Sequence, residues 1–290
     1  MQRKLMMNFP DIRWDLGKYV DQGTRWFTTN FQNGLDSFSD SILWIMTIIE
    51  NFLMWIPWWA ILLLVFFLGA RYKNVKSGII YAFFLFLIGT FGYWDLMMYT
   101  LTIVIVSVVI SILVGVPIGI LMAYSKRFEA MMRPILDAMQ TLPSFVYLIP
   151  AMMFFGLGKV PAVFATIIYA IPPVTRLTNL AIQEVSKEMV EAAQSFGSST
   201  WQVLKKVQLP QAVPTIMTGI NQTTMMALSM VVVASMVGAK GLGYEVLQSI
   251  NRIDIATGFE AGIAIVFLAI IMDRISQGIV DKSQSKRKNA

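Results

Sequence analysis

The segment EAAQSFGSSTWQVLKKVQLP, residues 191 to 210, is polar and partly charged, yet it lies between two strongly apolar stretches. Just before and within it, apolar residues recur at steps of four, three and four, which is the spacing of one helical face: Val185, Met189, Ala192 and Phe196. Gly197 follows the last of them, where a left-handed helix end favours glycine. The pattern predicts an amphipathic helix that stops at Gly197.

A second short helix is predicted directly after this stop. Ser199 and Gln202 have the spacing of a capping box, and Trp201 and other apolar residues follow before Leu209 and Pro210, which we expect to end the helix. Two helices joined by a tight glycine corner form a rigid unit with unburied apolar side chains. Such a unit over 184–210 suits docking of a cytoplasmic partner, and a loop lying on the lipid surface is the alternative.

Composition places this unit in a membrane protein. Of the 290 residues, 56% are hydrophobic and 14% are charged, and the mean hydropathy is +0.64. The net charge of +6 is explained by lysines and arginines in cytoplasmic loops, so no nucleic-acid partner is predicted. Because cysteine and histidine are both absent from the sequence, we expect no disulfide, no thiol nucleophile and no metal site.

The predicted fold is an all-α integral membrane protein with about seven transmembrane helices. Runs long enough to cross about 30 Å of hydrocarbon lie at 52–70, 77–93, 95–124, 139–157, 160–182, 211–237 and 259–281. Residues 41–51 are apolar but short, and we interpret them as an interfacial helix. If they span instead, the count becomes eight and the N-terminus moves inside.

Charge asymmetry predicts the orientation. With seven spans, the basic loops fall on one side together with the C-terminus, which is therefore cytoplasmic, and the N-terminus is extracytoplasmic. The predicted organisation is an N-terminal extracytoplasmic or interfacial segment, two peripheral helices, a core that contains the 184–210 loop, and a basic tail. Their bounds are 1–51, 52–93, 94–281 and 282–290.

The loop resembles a known motif. Glu191, Ala192, Ala193, Gly197, Leu209 and Pro210 match the EAA loop of type I permease subunits of ATP-binding cassette (ABC) importers. The segments at 136–182, 208–243 and 271–275 are similar to the branch that imports glycine betaine, proline and related compatible solutes. The resemblance implies a coupling helix seated in an ATPase subunit, with these residues, Phe196 and Trp201 at the contact.

The same resemblance implies the partners. They are a second copy of this chain, two ATP-binding cassette ATPase subunits and an extracytoplasmic substrate-binding protein, in the plasma membrane of a bacterium. No G-x-x-x-x-G-K-[ST] string is present, and Gly156 to Lys159, the nearest match, has the wrong spacing. We therefore predict that this chain is not an enzyme and binds no cofactor, and that ATP and magnesium are bound by the ATPase subunits.

Residues for the solute path are predicted from polarity. A zwitterion with a quaternary ammonium favours neutral polar groups and aromatic faces over fixed charge. Candidates are a polar stripe in the sixth span with a neighbouring amide, and two aromatic residues beside a proline in the fourth: Thr218, Gln222, Ser229, Asn221, Phe145 and Tyr147. Helix packing is the alternative role for all of them. Pro143, Pro150, Pro172 and Pro173 predict kinks in the fourth and fifth spans.

A stripe of small residues in the third span is interpreted as a packing surface: Thr100, Ser107, Ser111, Gly115 and Gly119.

The predicted function is ATP-driven import of a compatible solute by alternating access. Glycine betaine is the expected solute, with proline, carnitine and choline as alternatives. A passive osmolyte or ion channel is the rival function, and a membrane enzyme is disfavoured because no cluster of histidine, cysteine or carboxylate suggests an active site.

Overall fold

The computed structural model describes residues 15–288, and within them it contains only helices and their connections. In chain order these are α1 (Leu16–Trp55), α2 (Trp58–Tyr72), α3 (Val75–Thr90), α4 (Trp94–Tyr124), α5 (Lys126–Thr141), a 3₁₀ turn (Ser144–Tyr147), α6 (Leu148–Phe155), α7 (Lys159–Gln183), α8 (Lys187–Ser195), α9 (Thr200–Val203), a π turn (Leu204–Gln208), α10 (Leu209–Ser235), α11 (Leu242–Arg252) and α12 (Ile255–Lys288). The all-α prediction is confirmed.

Four helical stretches are long and apolar enough to cross a membrane. They are Trp94–Tyr124, Lys159–Gln183, Thr200–Ser235 and Ile255–Val280, and the number rises to six if two sharply bent helix pairs each count as one span. The count of seven is therefore approximate. Three predicted spans account for the difference. Helices α2 and α3 have 15 and 16 residues, whereas a helix needs about 20 residues to cross the hydrocarbon unaided, and the run 139–157 is divided between two sharply bent helices.

Helix α1 is longer than the sequence suggests. Residues 41–51 belong to a 40-residue helix with one non-helical residue, Phe31. Near its end, the Glu50 carboxylate lies 2.5 Å from the ammonium of Lys159, the first residue of α7. Earlier in α1, Phe27 contacts Phe154 and Phe38 contacts Phe155. Helix α1 therefore packs on the end of the bundle at which α6 ends and α7 begins.

Prolines act differently in the fourth and fifth predicted spans. The run 139–157 is broken after Thr141, and the two parts meet at 108°. Leu142 is extended, as expected for a residue before proline, and Pro143 caps the 3₁₀ turn. Helix α7, by contrast, continues without a break through Pro172 and Pro173, both of which are buried.

The core is centred on α7, which lies between α4 and α10. Gly115 and Gly119 of α4 allow this approach: a Cβ on Gly115 would lie 2.6 Å from Val174 Cγ1, and one on Gly119 would lie 2.6 Å from the Thr175 carbonyl oxygen. Every member of the small-residue stripe is buried. The prediction that this stripe packs helices is confirmed.

The connection between α10 and α11 is a glycine turn at the α1 end of the bundle. Gly238 and Gly241 have φ of +87° and +148°, and Thr100 Oγ1 of α4 accepts a hydrogen bond of 2.9 Å from the Leu242 amide. At the other end of the bundle lies the connection from α7 to α10, residues 184–208, which we call the loop end. Helix α12 continues to Lys288, so most of the predicted basic tail is helical.

Candidate functional site

Helix α8 begins the candidate site at the loop end. Its N-cap is Ser186, whose hydroxyl oxygen accepts a hydrogen bond from the Met189 amide at 3.4 Å. The same hydroxyl donates to the Glu188 carboxylate, and this bond is the main cause that lowers the pKa of Glu188. A capped first turn with an acidic residue favours helix formation. Residues 187–195 are therefore locally specified as a helix.

Gly197 ends α8 in the manner that its sequence position predicts. Its φ is +77°. The Gly197 amide donates to the Gln194 carbonyl at 2.8 Å and the Ser198 amide donates to the Ala193 carbonyl at 3.2 Å, which is the hydrogen-bond pattern of a Schellman motif. A Cβ at Gly197 would meet no atom within 4 Å. Glycine is thus required here for its backbone conformation and not for space.

The second helix starts at the predicted capping box and ends differently from the prediction. The Ser199 amide donates to Gln202 Oε1 at 2.8 Å, and the Gln202 amide donates to Ser199 Oγ at 3.4 Å. The expectation that Leu209 and Pro210 end this helix is wrong, because a π turn joins it to α10. The Leu209 amide reaches back five residues to the Leu204 carbonyl, and this wider turn precedes a proline that has no amide proton to donate.

Several apolar side chains of this unit are exposed. Phe196 is 91% exposed and Trp201 is 67% exposed, and Met189 on the predicted apolar face is exposed as well. Val185, Val203 and Leu204 are buried and anchor the unit at its base. We call Met189, Phe196 and Trp201 the apolar corner. Exposed aromatic side chains on a rigid polar segment are typical of an interaction site.

The other EAA-loop residues are near this corner. Glu191 and Ala192 are exposed, whereas Ala193, Leu209 and Pro210 are half-buried. A cavity of about 290 Å³ lies beneath α8, and polar residues of α4, α7, α8 and the π turn line it: Tyr124, Gln183, Lys187, Glu191, Gln194 and Gln208. The structure therefore collects the predicted coupling residues into one unit at the loop end.

The predicted path residues fall into two groups. Thr218, Gln222 and Ser229 are exposed along one side of α10. The hydroxyls of Thr218 and Ser229 donate to carbonyl oxygens one turn earlier in the same helix. Phe145 is also exposed, and its 3₁₀ turn packs against α10. Uncovered polar side chains of this kind can line a path or face another subunit.

The remaining two candidates have structural partners. Asn221 donates to Asp273 of α12 at 2.9 Å. Tyr147 is buried, and its hydroxyl donates to the Met139 carbonyl at 2.6 Å. Both contacts join helices, in agreement with the packing role that the sequence leaves open for these side chains.

Two polar contacts escape sequence reasoning. One is the pair formed by Glu50 and Lys159, which are 109 residues apart. The other surrounds Glu129 of α5, a buried carboxylate that accepts hydrogen bonds from Asn179 and Gln183 of α7. An acidic residue within an amphipathic helix was the only available signal, and such residues are usually solvated.

Comparison with known proteins identifies the family. Residues 115–286 match the model for the binding-protein-dependent transport system inner membrane component. The chain is 47% identical over 289 residues to the glycine betaine/carnitine transport permease protein of Listeria monocytogenes, covering 97% of this chain and 100% of that protein. It is 45% identical to the glycine betaine transport system permease protein of Bacillus subtilis, with 94% and 97% of the two chains covered.

A further relative is the glycine betaine/proline betaine transport system permease protein of Escherichia coli, 42% identical over 93% of this chain and 77% of that protein. Among solved structures, an inward-facing methionine ABC transporter matches with a TM-score of 0.59 at 21% identity, over 64% of this chain and 93% of that chain. This likeness concerns the fold alone. The chain belongs to the family of binding-protein-dependent transport system inner membrane components, the multi-pass membrane permeases of type I ABC importers.

Proposed function

We propose that this chain is the membrane permease of an ATP-driven importer of glycine betaine, with proline, carnitine and choline as further solutes of the same class. The apolar corner is the observation that carries the ATP-driven mechanism. It is rigid, because a Schellman motif and a capping box fix its two helices, and Phe196 and Trp201 remain exposed. The names of the related permeases support the choice of solute.

The proposed transporter contains several kinds of subunit, and the apolar corner supplies the contact between two of them. Two ATPase subunits, which bind ATP and magnesium, receive the apolar corners of two copies of this chain, and the chain itself hydrolyses nothing. An extracytoplasmic binding protein delivers the solute. ATP binding draws the ATPase subunits together, moves the coupling residues from Glu191 to Gly197, and reopens the permease to the outside. The remaining coupling contacts come from Trp201, Leu209 and Pro210.

The orientation proposed from charge places the loop end and the C-terminus in the cytoplasm and the N-terminus outside. It is supported by the contacts of α1, since Phe27, Phe38 and Glu50 all meet the opposite end of the bundle. A helix that keeps to one end of the bundle fits an interfacial position better than a span. The polar side of α10, with Thr218, Gln222 and Ser229, is the proposed solute path, and Phe145 of the neighbouring 3₁₀ turn contributes an aromatic face.

The test is solute uptake by the complete transporter, purified with its ATPase from the native membrane and reconstituted in proteoliposomes. We expect labelled glycine betaine to accumulate only when ATP is enclosed on the loop-end side and the binding protein is present outside. Equal flux without ATP would establish the passive channel instead. ATP-driven uptake of another solute, with no response to glycine betaine, would retain the importer and refute the assigned solute.

A further inference from the structure

Helices α5 and α7 are joined at the loop end by a buried carboxylate. Glu129 of α5 accepts a hydrogen bond of 2.8 Å from Asn179 Nδ2 and one of 3.3 Å from Gln183 Nε2, both on α7. Gln183 also donates to Asn179 Oδ1 at 3.0 Å, so the three side chains form a closed set. A carboxylate removed from water is stable only when such donors replace its hydration. The cluster therefore favours one relative position of the two helices.

Arg133 balances the charge of this carboxylate. Its Nη2 atom lies 2.7 Å from Glu129 Oε1, one turn further along α5, and the guanidinium itself is mostly exposed. The positive charge therefore remains hydrated while the negative charge is turned toward α7. Removal of Glu129 would leave the Asn179 amide without its acceptor between the helices, and unpaired buried donors are costly.

A second ion pair joins the same helices further along. Asp137 Oδ1 of α5 and Arg176 Nη2 of α7 are 2.5 Å apart. Since residue numbers rise along α5 as those of their partners fall along α7, the helices are antiparallel here and are joined at two separated points. The Asp137–Arg176 pair is exposed, so the buried contacts of Glu129 contribute most to holding the helices together. We call this set the α5–α7 clasp. Its members are Glu129, Arg133, Asp137, Arg176, Asn179 and Gln183.

The clasp lies between the 184–210 unit and the break that separates α5 from the 3₁₀ turn. Gln183 is the last residue of α7, only a short connection before α8 begins at Lys187. At the opposite end of α5, the Met139 carbonyl accepts the hydrogen bond from the buried Tyr147 in the 3₁₀ turn. A continuous set of helices and polar contacts thus runs from α8 to the turn that carries Phe145.

We propose that the α5–α7 clasp makes the loop end of α7 and the whole of α5 move as one body, so that displacement of α8 reaches the 3₁₀ turn beside the solute path. Glu129 is a positioning residue in this account, because it acts through α7 and touches no solute. The inference rests on the proposed function, since it concerns how movement driven by the ATPase reaches the membrane. A rigid two-state element is the physical basis that such coupling requires.

The first test breaks the clasp and measures glycine betaine transported per ATP hydrolysed in the reconstituted transporter. We expect Glu129→Ala to lower this ratio about tenfold while ATP hydrolysis persists, because charged hydrogen bonds between the helices are lost. The ratio should fall less in Glu129→Gln, since the new amide oxygen can still accept a hydrogen bond from Asn179. The matched control is Glu260→Gln, which changes an exposed glutamate on α12.

If Glu129→Ala does not assemble, Glu129→Gln and Asp137→Asn decide the question, because each removes a charge without a change in side-chain size. A purely structural role would lower the thermal stability of these variants and leave the ratio at the wild-type value, and that result would overturn the proposal.

The second test locks the clasp. The chain has no cysteine of its own, so Asp137→Cys combined with Arg176→Cys allows the two helices to be joined by a short thiol-specific cross-linker. Helices that move as one body tolerate the link, and we expect cross-linking to restore the ratio that the double substitution lowers. A link that abolishes uptake would mean that α5 and α7 separate during transport, which contradicts the proposal.

Measurements on the wild-type transporter distinguish a failure of the proposed function from a failure of the role of the clasp. Absence of ATP-driven uptake in the wild type would refute the proposed function together with the role of the clasp. Normal wild-type transport combined with an unchanged ratio in Glu129→Ala, Glu129→Gln and Asp137→Asn would refute the clasp alone.

Discussion

Gly119 in α4 and Gly197 at the end of α8 serve opposite needs. Gly119 has an ordinary helical backbone, and a Cβ there would lie 2.6 Å from the Thr175 carbonyl oxygen. Gly197 has a φ of +77° and open space around it. The first glycine allows two helices of the enclosed core to touch, and the second turns an exposed segment. Substitutions in the core should therefore impair folding, whereas substitutions in the exposed segment around Gly197 should impair transport by a folded protein.

The largest effect is expected from Gly119→Val. The added side chain cannot fit between α4 and α7, and overpacking of this kind costs about 3 kcal/mol. We expect little correctly assembled protein, with a lower midpoint of thermal unfolding in detergent. Gly262→Ala is the control, because a Cβ on this helical glycine meets nothing within 4 Å. Wild-type stability of Gly119→Val would show that α4 and α7 are not in close contact.

Gly197→Val tests the other side of the comparison. A β-branched residue in the left-handed region costs about 1–2 kcal/mol locally, and it should reorient α9 relative to α8 without loss of the core. We expect a folded chain in which ATP hydrolysis no longer drives uptake. Gly197→Asn, which tolerates this backbone better, should retain most of the uptake. Normal transport by the valine variant would refute the proposal that the fixed angle between α8 and α9 couples ATP hydrolysis to transport.

The exposed aromatic residues should affect binding and not stability. We expect Phe196→Ala and Trp201→Ala to change the free energy of unfolding by less than about 0.5 kcal/mol, since both side chains are exposed. Each should weaken association with the ATPase subunits about tenfold or more if it is an interface hot spot. Titration of the separated subunits measures this affinity. Equal loss from exposed Leu157→Ala, at the opposite end of the bundle, would contradict the assignment.

The smallest effect on transport is expected from Ser186→Ala. Loss of the serine hydroxyl should raise the pKa of Glu188 toward its ordinary value. A carboxyl whose pKa is lowered by folding stabilises the folded state above its unfolded pKa, about 4.3, and loses that contribution as the pH falls through the lower folded value. The variant should thus differ from wild type in the pH dependence of unfolding only below about pH 5. Identical acid unfolding curves would contradict this bond.

Local features of the coupling unit could be predicted because each depends on a few neighbouring residues. The positive φ at Gly197 and the bonds between Ser199 and Gln202 both agree with their sequence patterns. Packing through Gly115 and Gly119 was also predictable, since small residues on one helical face allow close approach. The assignment of coupling and path residues stays a prediction, because it concerns partners and a solute that sequence patterns do not contain.

Tertiary effects account for what was missed. A proline lacks a backbone N–H donor wherever it occurs in a helix. Helix α5 nevertheless ends before the exposed Pro143, whereas α7 continues through the buried Pro172 and Pro173. Packing around α7 holds that helix together, and sequence spacing does not show such packing. The bond between Glu129 and Asn179 joins residues 50 positions apart, so only the fold could show that they meet.

The most direct measurement is a cross-link from the apolar corner. A Phe196→Cys variant carries a single thiol, because the chain has no other cysteine, and it can be linked to neighbouring chains in the native membrane. We expect a link to an ATP-binding cassette ATPase, weakened when ATP is withheld, and no such link from Ile79→Cys, an exposed position on α3. Failure of Cys at position 196 to link to any ATPase, in a transporter that still imports glycine betaine, would contradict the docking of the apolar corner on the ATPase.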